Sequence, residues 1–299
     1  MSYQSGTNAV QKLSYKAMPC MIKRSQRVLM PAIILLVFPL FAQQFSWPGA
    51  GNSSETLQMR FAPPPGFLRE AADSGSFANW LRNLPLLPSD TPVRLFNGQL
   101  KGNQSAHAAV INIDVGKSDL QQCADAVIRL RAEFLYGDSS REIAFNFTSG
   151  DRCSFGEWVE GKRPDIRGNK VFWVHTGRKG RDYGNFSKYL QTIFTYAGTY
   201  SLKRELIRVA DLEKMEAGDV FIQGGFPGHA VLVADMAVNP QSGRKIYLLL
   251  QSYMPAQNIH VLKNPVAPEL SPWYEIDHTP QIITPEWTFR PSDLHRFSD

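Results

Sequence analysis

An α+β fold built on an antiparallel sheet is what this chain predicts, from three observations. Two segments in the first two thirds repeat apolar residues at helical spacing, and apolar strand-like runs dominate the last third. The two longest of those runs, Ala230–Ala237 and Lys245–Ser252, are joined by a short turn at Asn239-Pro240. So short a link suits a hairpin, since a parallel crossover needs a dozen or more residues.

The elements follow in chain order. Lys23, Arg24 and Arg27 precede the apolar run Val28 to Ala42 (VLMPAIILLVFPLFA), the basic-then-apolar order of a secretory signal. The run holds Pro31 and Pro39 and is shorter than the roughly 20 residues of a spanning helix. Residues 1–42 are therefore expected to be a signal peptide, which places the mature protein in the periplasm or outside the cell. Leu40 stands where a second small residue is preferred before the cut, so an uncleaved anchor is the alternative. Residues 43–60, with SWPGAGNSSE, are expected to be a flexible spacer, and 61–299 a single α+β domain entered through APPPG.

Within that domain, Ser76–Leu84 predicts a short helix stopped by Pro85 and Pro88. Val93–Phe96, a turn at Asn97-Gly98 and a strand at Ala108–Asp114 come next. The clearest helix is Asp119–Tyr136, where Leu120, Cys123, Val127, Leu130 and Phe134 share a face. Ser118 or Asp119 would cap it, with Gln121 and Gln122 in capping-box register. A strand at Ile143–Phe147 and a helix at Phe186–Ala197, stopped by Gly198, precede the strands Asp219–Gln223, Ala230–Ala237 and Lys245–Ser252.

Charge excludes one class of partner. All five basic residues of the first 42 fall in the expected signal, which leaves 27 Lys and Arg against 27 Asp and Glu. A formally neutral mature chain has no footprint for a phosphate backbone, so no nucleic acid is expected. His107, His175, His260, His278 and His295 are scattered without ligand spacing, and neither a metal nor a cofactor is expected.

The most informative stretch is Ala217 to Val233, AGDVFIQGGFPGHAVLV: a Gly-Asp turn, a short strand, a Gly-rich loop and a His opening an apolar strand. With FSKYLQTIFTYAGTYSLKRE and ADLEKMEAGDVF before it, the region resembles NlpC-type and CHAP-type cell-wall amidases over about fifty residues, Phe186 to Asp235. That resemblance implies a papain-like fold, a catalytic His at His229 and action on cell-wall peptides. In those families a nucleophilic Cys opens the preceding helix, whereas here the matching place reads Gly184-Asn185-Phe186-Ser187. A Ser hydroxyl there is a poor substitute, because it needs stronger activation than a thiol.

Cys123 is the nucleophile expected from elsewhere, in the first turn of the best-defined helix, where the dipole favours a thiolate. His229 would take its proton and Gln251, ending the strand YLLLQ, would hold the imidazole. Gln121 or Gln122 would serve an oxyanion site or merely cap the helix. Other roles stand beside these. Cys123 lies on an apolar stripe, which suits a buried thiol, and it could pair with Cys153 after export. His229 could be a core histidine bonded to a backbone carbonyl. Trp158, Trp173, Tyr183, Phe186, Trp273, Tyr274 and Trp287 lie in Gly- and Pro-rich stretches, where rings contact sugars or cover a core edge.

Taken whole, the stretches SFANWLRNLPL, DLQQCADAVIRLRAEFL, YAGTYSLKREL, GDVFIQGGFPGHAVLVADMA and LLLQSYMPAQNIHVLKNP resemble a bacterial family, domain of unknown function 4846. That name implies a folded exported domain and no activity. The expected function is a Cys-dependent hydrolase or amidase of the cell envelope. The alternatives are a non-catalytic module of the same fold that holds a glycan or peptide, and an assembly protein with no cleft at His229.

Overall fold

A strand buried along its whole length needs a covering layer on each face, and this chain has such a strand: every residue of His229–Val238 but the last is buried. The computed structural model describes residues 45–298 except Asn169; the expected signal over residues 1–42 lies outside the described residues. Six α-helices are present among them: α1 (Leu57–Arg60), α2 (Phe77–Arg82), α3 (Cys123–Tyr136), α4 (Phe155–Val159), α5 (Tyr183–Tyr196) and α6 (Thr199–Glu205). The strands before α6 are β1 (Leu68–Arg69), β2 (His107–Val110), β3 (Ala144–Asn146), β4 (Arg152–Ser154), β5 (Lys162–Arg167) and β6 (Lys170–His175). After it come β7 (Ile207–Arg208), β8 (Val220–Gln223), β9 (His229–Val238), β10 (Lys245–Gln251) and β11 (His260–Leu262). Then follow β12 (Tyr274–Glu275), β13 (Ile282–Ile283), β14 (Thr288–Phe289) and β15 (Leu294–Arg296).

The expected α+β class with an antiparallel sheet is what forms. One sheet runs β2-β11-β10-β9-β8-β15-β7, with β1 added to β9 and β12 to β10, and each of its pairings is antiparallel. Period-2 alternation splits its side chains. Ala230, Leu232, Leu248 and Leu250 share a core with α2 and α3, while Val231, Val233, Tyr247 and Leu249 pack with Tyr274, Ile282 and Phe289 on the other face.

The alternation changes phase once, at a bulge. Val233 pairs with Leu249 and Asp235 with Leu248, so Ala234 is an extra residue. A bulge re-aims the side chains beyond it, and here it turns Asp235 to the helix face. There the carboxylate, fully buried, accepts from Arg82 of α2 at 2.6 Å and Arg69 of β1 at 2.6 Å. Arg69 also donates to the Phe61 and Gln58 carbonyls. One buried acid thus pins the whole segment from α1 to α2 onto the central strand. Residues 45–60, expected to be a spacer, supply Trp47, Ala50 and Leu57 to the same core.

Helix boundaries moved where acidic side chains found other partners. α3 begins at Cys123, not at Asp119, because Asp119 turns outward to accept the Ala256 backbone N–H at 2.7 Å. Its first turn is closed by Asp125, which accepts the Gln122 N–H at 3.0 Å. α5 starts earlier than expected, where Asp182 accepts the Asn185 N–H. Gly198 ends α5 as expected, yet the chain enters α6 directly. The β5–β6 hairpin fills the Gly- and Arg-rich stretch that sequence left unassigned.

Replacing Asp235 by Ala would strand two guanidinium groups in the core. A loss of about 3–5 kcal/mol is expected, read as a lowered urea midpoint at unchanged slope.

Candidate functional site

His229 and Gln251 come from neighbouring strand ends. His229 opens β9 after the loop Gly224–Gly228, and Gln251 closes β10. Both fall on the sheet face opposite α3, in phase with Val231 and Leu249. Their side chains meet: His229 Nε2 lies 2.9 Å from Gln251 Oε1. The Tyr253 ring, centred 4.8 Å from the imidazole, and the Trp287 ring, at 5.2 Å, cover this bond from solvent. Trp287 is itself held by an Nε1–H donated to Gln223 Oε1 at 3.0 Å. His229 is therefore not the carbonyl-bonded core histidine of the bland alternative. Burial drives its pKa down to about 4, against the Gln251 hydrogen bond and Glu286, which raise it. At neutral pH the ring is uncharged.

Behind Gln251 lies a polar chain. Its Nε2 donates to Glu286 Oε2 at 2.6 Å and lies 3.4 Å from His260 Nε2. Glu286 also takes the Lys101 ammonium, a nearly buried ion pair. Burial lowers the Lys101 pKa and Glu286 raises it again in part. His260, wholly buried, is pushed down to about 3 by desolvation, while its Nδ1 faces the Asn258 carbonyl at 2.8 Å. Sequence reasoning missed Glu286, His260 and Lys101. No spacing marks them, because β11, the Lys101 loop and the Glu286 loop meet only in the folded sheet.

Cys123 is the first residue of α3, and the Ala230 backbone N–H, one residue beyond His229, turns toward its sulfur. The structure thus brings all three expected residues to one end of β9. Among the described residues, however, no hydrogen bond joins Sγ to the imidazole. Ala230 faces the α3 side of the sheet and His229 the other. The Tyr253 hydroxyl pKa is raised by burial, then by Glu286 and by Cys123. Desolvation pushes the thiol up to about 11 and Asp125 adds to the rise, outweighing backbone N–H groups that lower it. Helix-dipole stabilisation, expected to favour thiolate, loses here to burial.

The other expectations resolve as follows. Cys123 and Cys153 are both free thiols, so the pairing considered for them does not form. Gln121 Oε1 accepts from Arg129 at 3.1 Å, two turns along α3, and Gln122 Nε2 donates to Asp119 at 3.0 Å. Neither side-chain amide is thereby committed to the thiol. At the 184–187 position, Asn185 is buried and accepts from the Trp158 indole at 3.0 Å, a structural role. The helices laid on β9 are α3 and α2, while α5 packs on α3 and α4. Trp158, Phe186, Trp273 and Tyr274 are buried in the cores; Trp287 is the ring of that set that touches His229. At the rim, the loops before His229 and after Gln251 carry the strongly exposed Phe226 (86%) and Met254 (60%).

Because burial holds both thiols protonated, iodoacetamide should label neither Cys123 nor Cys153 appreciably at pH 7. Labelling of Cys123 should rise only toward pH 11, and site-resolved mass spectrometry across that range reads this directly.

A family model described as domain of unknown function (4846) matches residues 57–296, which spans α1 to β15. No curated protein matches the chain, and no solved structure does.

Proposed function

We propose that this chain, which belongs to the domain of unknown function 4846 family, is a Cys-dependent hydrolase or amidase of papain-like outline, acting on cell-wall peptides. The observation that carries it is the His229–Gln251 bond of 2.9 Å, covered by Trp287, at the strand end where Cys123 opens the packed helix. A thiol on a helix start, an imidazole on a strand start and an amide orienting that imidazole are the parts of an acyl-transfer site. The likeness to NlpC-type amidases over Phe186–Asp235 supports the same chemistry, with the nucleophile supplied by α3 in place of α5. Action outside the cytoplasm rests on the expected signal over residues 1–42.

The roles follow from the groups present. Cys123 Sγ attacks the scissile carbonyl carbon while its proton passes to His229. The backbone N–H groups of the first turn of α3 face the developing oxyanion. The proton then goes to the leaving amine, and water, deprotonated by the same imidazole, cleaves the thioester. With the thiol at about 11 and the imidazole at about 4, proton transfer accompanies attack and does not precede it. The exposed Phe226 and Met254 offer an apolar rim to a peptide side chain.

A second function is favoured by one observation. A thiol that burial raises to about 11 suits a module that kept the fold and holds a peptide or glycan without cleaving it.

Incubation with muropeptides decides between them. Hydrolysis is expected, abolished in Cys123→Ala and slowed by about 10²–10⁴ in kcat in His229→Ala. Binding by calorimetry without cleavage, equal in wild type and Cys123→Ala, would establish the binding module instead.

A further inference from the structure

Acceptors and donors around Gln251 leave a single consistent arrangement of protons. The Asn258 carbonyl can only accept, so His260 Nδ1 at 2.8 Å must carry a hydrogen and donate to it. Neutral His260 then presents a lone pair at Nε2, which faces the Gln251 terminus at 3.4 Å. The other group at that terminus, at 2.6 Å, is the Glu286 carboxylate, paired with the Lys101 ammonium and hence an acceptor as well. Two acceptors demand the amide NH₂ between them. Gln251 Oε1 is thereby turned to His229, and an oxygen there requires a hydrogen on His229 Nε2. In a neutral ring Nδ1 is then bare.

We infer that Glu286, anchored by Lys101 and aided by His260, is a positioning residue that locks the Gln251 amide and thereby holds His229 in its Nε2–H tautomer. The free lone pair is left on Nδ1, the atom available to take a thiol proton. Without the carboxylate, Gln251 is free to turn its NH₂ to His229, which places the imidazole proton on Nδ1 and removes the acceptor. The role in turnover rests on the hydrolase proposed above; the position of the proton does not.

The experiment is a two-bond ¹⁵N–¹H correlation on full-length protein labelled at histidine nitrogens, near pH 7. His229 is assigned by its loss in His229→Gln. Wild type is expected to show His229 as Nε2–H alone. Glu286→Gln, whose side chain no longer obliges Gln251 to donate, is expected to show a second, Nδ1–H population, and Glu286→Asp to restore the wild-type pattern. Gln251→Leu, which removes the acceptor at Nε2 altogether, should mix the tautomers too and serves where Glu286→Gln does not fold. Wild-type His229 protonated on Nδ1 overturns the assignment. So does a folded Glu286→Gln or Gln251→Leu protein that keeps Nε2–H alone. If muropeptides are hydrolysed, kcat should fall about tenfold or more in Glu286→Gln with KM little changed, the scale of lost second-layer support elsewhere. Expected tautomers with no hydrolysis would reject the hydrolase and leave the positioning intact.

Discussion

Asp235 is the constraint on which the rest of the molecule hangs. Its carboxylate is fully buried on the central strand, where an unpaired charge would cost several kcal/mol. The two guanidinium groups that neutralise it arrive from β1 and α2, some 150 residues earlier in the chain. The bulge at Ala234 aims the acid at them. Long-range order between the N-terminal segment and the late strands is therefore an electrostatic necessity as well as a hydrophobic gain. The same bulge sets the phase of β9, since His229 and Val231 face away from α3 while Asp235 faces toward it.

That phase shapes the candidate site. His229 and Gln251 occupy neighbouring ends of β9 and β10, on the face away from α3. Their surroundings trade charge for order. Aromatic rings and the sheet exclude water, which keeps His229, His260 and the Cys123 thiol neutral. The charged couple of Lys101 with Glu286 is held in a pair whose carboxylate has a second donor in Gln251. His229, Gln251 and His260 are thus held as neutral groups by the geometry of their hydrogen bonds.

Much of the fold was legible because its cause is local. The apolar run AVLVADMA and the short link to the next strand were enough for an antiparallel hairpin, and Ser76 and Gly137 mark real helix ends. Cys123 and Gln251 could be named because each lies at the border of a recognisable element, and His229 because its Gly-rich surroundings resemble those of a known family's His. Failures occurred where a partner lies far off in sequence. Asp119 looks like a helix cap until Ala256, 137 residues away, takes its carboxylate. Residues 45–60 look like a linker until the core that receives Trp47 and Leu57 exists.

By itself, then, the sequence determined the α+β class and the antiparallel order of the late strands, because period and turn chemistry act over a few neighbours. Only the tertiary structure decided that α3 and not α5 lies on β9, that both cysteines are free, and that Glu286, Lys101 and His260 stand behind Gln251. It also reversed the electrostatics of Cys123. A helix start favours thiolate, but desolvation by everything packed around the helix outweighs the dipole, and no stretch of sequence records that packing.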